Sequence, residues 1–112
     1  MPKARRTRFA MAYVTAPDRR TAGTLAARIL GRRLAACANL FPAVSLYWWK
    51  GTVEETREIV IVFKTRHALL GPLIEAVREV HPHDVPCVVS YPMGPASSDY
   101  LAWIDRETRP QR

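Results

Sequence analysis

The sequence predicts an α+β domain: a four-stranded antiparallel sheet, two helices on one face and a short helix near the C-terminal end. Three observations lead there. Stretches with strand character and stretches with helical spacing follow one another in the order strand, helix, strand, strand, helix, strand, helix. The two middle strands are separated only by Lys50-Gly51, a turn that makes them a β-hairpin. The chain has 112 residues, 48% hydrophobic and 24% charged, which is the size and composition of one ordinary globular domain.

Each element has a local reason. Phe9 to Thr15 is short, apolar and β-prone, and Pro17 ends it. Asp18 is placed to accept from the free amides of a first helical turn. From there to about Leu34, Ala22, Leu25, Ala26, Ile29, Leu30 and Leu34 recur on one face. Asn39 to Trp49 reads as a strand. Pro42 lacks an amide donor, so this strand belongs at an edge or carries a bulge. Thr52 to Thr65 is the return strand, and its Ile59-Val60-Ile61-Val62-Phe63 run is apolar on both faces, as suits a central strand. A second helix spans about Leu69 to Val80, with Pro72 tolerated in its first turn. Val85 to Tyr91 reads as the fourth strand. Ser98 to Glu107 reads as the last helix, with Tyr100, Leu101, Trp103 and Ile104 on its apolar side. The order β-α-β-β-α-β is the ferredoxin-like βαββαβ pattern. It makes the first and third strands central and the second and fourth the edges.

The formal net charge is +7, which invites a nucleic-acid reading. The excess sits at the two ends. Lys3, Arg5, Arg6 and Arg8 have no acid among them, and Arg106, Arg109 and Arg112 face only Asp105 and Glu107. The stretch between them is nearly balanced, so residues 1–8 are expected to be a basic flexible arm, 9–107 the domain and 108–112 a flexible tail. Nucleic acid is not an expected partner. Two cysteines imply no disulfide framework. No stretch reaches the ~20 apolar residues that span a bilayer. A cytoplasmic protein without a membrane association is expected.

For chemistry, the sequence offers no phosphate-binding glycine loop and no nucleophile elbow, and no enzyme is expected. Three features stand out. Tyr47, Trp48 and Trp49 crowd the end of an edge strand, and neighbouring strand residues point to opposite faces. A small monomer does not readily bury both faces there, so these residues are expected at a subunit interface. His81 and His83 flank Pro82 in a loop, with Asp84 and Cys87 after them, a mix of imidazole, carboxylate and thiol that suits copper or another divalent metal ion. His81 is also well placed to cap the second helix. Cys37 and Cys87 are expected to be buried. Lys64 ends an apolar strand and is a candidate for binding an anionic ligand or a partner carboxylate.

From about Ala12 to Ile104 the chain resembles the CutA family. The resemblance rests on Thr15-Ala16-Pro17, Leu34-Ala35-Ala36-Cys37-Ala38-Asn39, Ser45-Leu46-Tyr47-Trp48-Trp49-Lys50-Gly51, Glu58, Lys64-Thr65, His81-Pro82, Pro86, Pro92 and Tyr100-Leu101-Ala102-Trp103. It implies a ferredoxin-like homotrimer in which the long hairpin strands pair across subunits. It also implies a role in tolerance to copper and other divalent ions, and an architecture like the PII signalling proteins, which bind small ligands in intersubunit clefts. The chain departs from the family where copper binding in bacterial relatives is tied to a cysteine closing the first strand and a His-His pair. Val14 and Val80-His81 stand there. His83, Cys87 and Ala96 are further departures.

Overall fold

The computed structural model describes residues 8–111. The arm residues Lys3, Arg5 and Arg6, and Arg112 of the tail, lie outside the described residues. Strand β1 (Phe9–Ala16) leads to helix α1 (Arg19–Gly31), then to strands β2 (Cys37–Trp49) and β3 (Thr52–Arg66). A 3₁₀ turn (His67–Leu69) enters helix α2 (Leu70–Val80), followed by β4 (Val88–Pro92) and α3 (Ser98–Glu107). The antiparallel sheet has the order β2-β3-β1-β4, so the first and third strands are central as the βαββαβ pattern requires.

Helices α1 and α2 cover one face of the sheet, and on the opposite face Val60 and Ile104 are fully buried as well. Ala10, Ala12, Val14 and Ala16 of β1 alternate inward, in register with Thr65, Phe63, Ile61 and Ile59 of β3. On them lie Leu25, Ala26 and Ile29 of α1 and Leu73, Ala76 and Val77 of α2. Small alanines on β1 let the helices approach, while Phe63, fully buried, fills the middle. Cutting Phe63 to Ala would remove about 3–5 kcal/mol.

The caps follow the sequence. Asp18 Oδ1 accepts from the Thr21 amide at 2.7 Å. That bond holds the Asp18 carboxyl below its ordinary value. The end of α1 is less ordinary. Leu34 donates to the Ile29 carbonyl at 3.1 Å and Arg33 to that of Leu30 at 3.0 Å, the paired bonds of a Schellman ending. Arg33, at φ +58°, occupies the left-handed position where glycine is usual.

The hairpin pairs without a bulge from Cys37↔Lys64 to Trp49↔Thr52. Lys50 (φ +50°) and Gly51 (φ +85°) form its two-residue turn, both left-handed as a type I′ turn demands. Counting back from that turn, hydrogen-bonded and non-hydrogen-bonded pairs alternate. Pro42, opposite Ile59, falls in a non-bonded pair, so its missing amide faces the outer edge of β2. β1 accompanies β3 only as far as Ile59. Beyond it, Ala43–Trp49 and Thr52–Glu58 run on as a two-stranded ribbon about 20 Å long. The ribbon stretches the molecule to a radius of gyration of 15.2 Å, where a compact chain of this length has about 13 Å.

The fourth strand begins later than its sequence suggests. Val85 and Pro86 stay outside it, and the first contact with β1 is a single backbone bond from Thr15 N–H to Cys87 O at 3.4 Å. Pro86 has no amide to offer a ladder. Cys87 is consequently exposed, not buried as strand placement had implied. Cys37 is half-buried. At the other end, Thr108 is part of the packed body: it is 3% exposed and receives Arg66 Nε on its hydroxyl at 2.8 Å.

Candidate functional site

A groove of about 840 Å³ opens between the projecting ribbon and the loop that follows α2. Tyr13 and Thr15 of β1 floor it. Val44, Leu46, Tyr47, Trp49 and Glu58 of the hairpin form one wall. Pro82, His83, Asp84, Val85 and Cys87 form the other. Among the described residues, no lysine or arginine lines it. Two carboxylates, an imidazole and a thiol therefore face one space without a compensating cation.

The loop wall is positioned by His81. Its ring is buried, at 8% exposure. Nε2 lies 2.7 Å from the Thr15 carbonyl, and Nδ1 accepts the His83 amide at 3.1 Å. Because Nδ1 accepts, the proton sits on Nε2 and is donated to Thr15. The backbone amide of His81 also closes α2 on Val77 O at 2.9 Å. One residue thus ends the helix, ties the loop to β1 and sets where His83 begins. His81 and His83 rings lie 4.9 Å apart between centroids. Coordination of a metal by His81 requires one of its two ring bonds to break. His83 and Cys87 both line the groove. Among the described residues, no three His, Cys, Asp or Glu side chains stand close enough together to hold a metal ion.

A second cluster lies where the other end of the hairpin meets α3. Lys64 Nζ donates to Asn39 Oδ1 at 2.9 Å and sits 5.8 Å from the Tyr100 ring centroid. Tyr100 Oη is 3.4 Å from Cys37 Sγ and its ring stacks on Trp103 at 5.6 Å. Burial, and then the contact with Cys37, push the Tyr100 hydroxyl up to about 12. Lys64 is half-buried, and among the described residues no carboxylate reaches it. Sequence reasoning picked out Lys64 but not Tyr100 as its neighbour, since only the fold brings α3 to that strand.

Tyr47, Trp48 and Trp49 are 40%, 75% and 47% exposed. Helix α3 does not shelter them, because it packs at the Cys37–Lys64 end of the hairpin. With Phe41, Val44, Leu46 and Val53 they make the ribbon the largest concentration of exposed apolar side chains in the described residues.

The model of the CutA1 divalent ion tolerance protein family matches residues 10–107. The chain belongs to that family. The family is one of divalent ion tolerance proteins. The divalent-cation tolerance protein CutA of Pyrococcus horikoshii is 39% identical over 97 residues, covering 87% of this chain and 95% of that one. Its Escherichia coli O139:H28 counterpart is 37% identical over 108 residues, covering 96% of both. The chain spans only 55% of the rice, mouse and human relatives it matches. Among solved structures, the periplasmic divalent cation tolerance protein CutA of Archaeoglobus fulgidus superposes with a TM-score of 0.89 at 33% identity, covering 90% of this chain and 99% of that one. CutA1 of Oryza sativa superposes with a TM-score of 0.89 at 36% identity, covering 95% and 98%. Among the described residues, no helix is long and apolar enough to cross a membrane.

Proposed function

We propose that this protein is a homotrimeric divalent-cation tolerance protein that takes up copper or another divalent metal ion in the groove beside the hairpin. The observation that carries this reading is the composition of that groove: Glu58, Asp84, His83 and Cys87, with no lysine or arginine among the described lining residues. Thiolate and imidazole together favour copper or zinc over magnesium and calcium. With no three such groups gathered among the described residues, the ion is held in an open site by His83 and Cys87, and His81 serves to place them. The names of the relatives support the same class of ion. Two free cysteines suit a reducing compartment, and we place the protein in the cytoplasm.

The trimer rests on the ribbon. An isolated two-stranded hairpin is marginal in water, yet this one extends well beyond the sheet with its aromatic tip uncovered. Pairing with neighbouring subunits through Tyr47, Trp48 and Trp49 supplies the missing cover. Light scattering is expected to give three times the 12.7 kDa chain mass. Calorimetric titration with Cu(II), and with Cu(I) under reducing conditions, is expected to show binding that His83→Ala/Cys87→Ala weakens at least tenfold. His81→Ala/His83→Ala is the companion variant. Equal binding by all three proteins would remove these ligands from consideration.

A second reading has its own observation. Lys64 is a half-buried ammonium with only neutral partners, Asn39 and the Tyr100 ring. A small anionic ligand in an intersubunit cleft, in the manner of a PII-like signalling module, would satisfy it. Stabilisation by nucleotides or carboxylate metabolites in a thermal-shift screen, lost in Lys64→Met, is the expected result.

A further inference from the structure

The basic ends of the chain look like two separate tails in the sequence. The fold brings the described members of the two, Arg8 and Arg109, to one surface. Arg8, just before β1, and Arg109, just after α3, both reach the same oxygen of Asp105, at 3.6 and 2.9 Å. Arg66 of β3 approaches that oxygen as well, at 3.9 Å. One carboxylate therefore gathers three guanidiniums. On the other side of the same helical turn, Arg33 and Arg106 share Glu107, at 3.0 and 3.5 Å. The last turn of a helix favours cations through its unpaired carbonyls, which explains why so many collect there. Their charge still exceeds that of the two acids. In the sequence, Lys3, Arg5 and Arg6 precede Arg8 with no acid among them.

We infer that the arginine surface around the C-terminal turn of α3, built from Arg8, Arg106 and Arg109 with the largely buried Arg66 behind them, binds the phosphodiester backbone of nucleic acid without reading its bases. Three features favour that partner. The cations are arginines, whose planar forks match phosphate oxygens. The outermost of them are open to solvent, with Arg8, Arg106 and Arg109 side chains 73%, 63% and 50% exposed. An anionic membrane, the main competitor, is bound through an exposed apolar face beside the charges. Here α3 turns its apolar side inward, with Ile104 fully buried, and none of the large exposed apolar side chains belongs to α3. Among the described residues the ring that meets these arginines is Phe9, half-buried beneath the Arg8 guanidinium at 5.6 Å and not open for stacking a base, so contact is expected to be indifferent to sequence. The inference stands apart from the metal reading, since this surface and the groove share no residue.

The test is fluorescence anisotropy of the full chain with a labelled 30-nucleotide single strand between 50 and 300 mM KCl. Binding is expected, falling steeply with salt. Arg8→Ala/Arg109→Ala is expected to weaken it at least tenfold at 100 mM KCl and to flatten the log–log salt slope by about 1.4, two contacts at about 0.7 each. Arg8→Ala/Arg106→Ala is the second variant, in case the first loosens α3, and circular dichroism checks both. Arg19→Ala/Arg20→Ala removes the same charge at the far end of α1, where both side chains are exposed, and is expected to change affinity less than twofold. Absence of binding at 50 mM KCl overturns the inference. So does equal weakening by the Arg19/Arg20 variant, which would mean diffuse net charge. So does co-sedimentation with vesicles of 30% phosphatidylserine in phosphatidylcholine without any oligonucleotide binding.

Discussion

At the scale of single residues, Arg33 shows how one side chain serves two constraints that oppose each other. Its backbone adopts a left-handed conformation that costs an L-residue roughly 1–2 kcal/mol. Its guanidinium meanwhile reaches the carbonyl and the carboxylate of Glu107, at 3.2 and 3.0 Å, tying the end of α1 to the end of α3. The two roles are separable by substitution. Arg33→Ala loses the tie and keeps the backbone cost, whereas Arg33→Gly loses the tie and relieves that cost. Urea unfolding at fixed protein concentration is expected to find the glycine variant more stable than the alanine variant by about 1 kcal/mol. Equal stabilities would mean that the left-handed geometry is not retained in solution. His81 is a comparable case of economy: a histidine that the sequence marks as a metal ligand spends both ring nitrogens on holding its own loop.

At the scale of elements, the hairpin is specified by its turn and its alternation. A type I′ turn needs two left-handed residues, and lysine is a poor choice for the first. Lys50→Asn is expected to raise the unfolding temperature, by an amount equivalent to about 0.5–1 kcal/mol. A lowered temperature would indicate that Lys50 contributes a contact of its own, for which its position 5.9 Å from the Trp49 ring is the candidate. What could be read from sequence divides along the same line. The helix of Asp18 and the hairpin of Lys50-Gly51 were legible because their signals are local: a cap, a turn, a repeat spacing. The late start of β4 was not. Val85 has strand character, and what keeps it out of the sheet is Pro86 together with the loop clamp made by His81, which depends on β1 being alongside. The groove was legible only as a list of residue types around His81 and Cys87. Glu58 joins it through hairpin register, and Tyr100 reaches Cys37 only through the path of α3.

At the scale of the whole molecule, the exposed ribbon makes folding and assembly hard to separate. If subunits complete one another, stability must depend on protein concentration by mass action. Calorimetry of the wild type at 5 and 100 μM is expected to show a higher melting temperature at the higher concentration. Trp48→Glu, which places a charge on the most exposed aromatic residue of the tip, is expected to lower both and to yield a smaller species by light scattering. Concentration-independent melting of a 12.7 kDa particle would leave the ribbon without a role. The same scale explains why the charge distribution misleads when read along the chain. Arg8 and Arg109, a hundred residues apart in sequence, converge on Asp105 because β1 is central and α3 returns to the end of the sheet.

The position of Pro42 carries one more consequence. The outer rim of β2 is an open template, and open templates recruit strands indiscriminately, which is how soluble proteins turn into fibrils. From Val44 outward that rim offers its amides in the usual rhythm, and at Pro42 the rhythm breaks. A visiting strand can therefore zip along the ribbon but not continue down into the body. The imino ring acts as an end-stop, so that pairing begun on the ribbon halts before it reaches the body of the sheet.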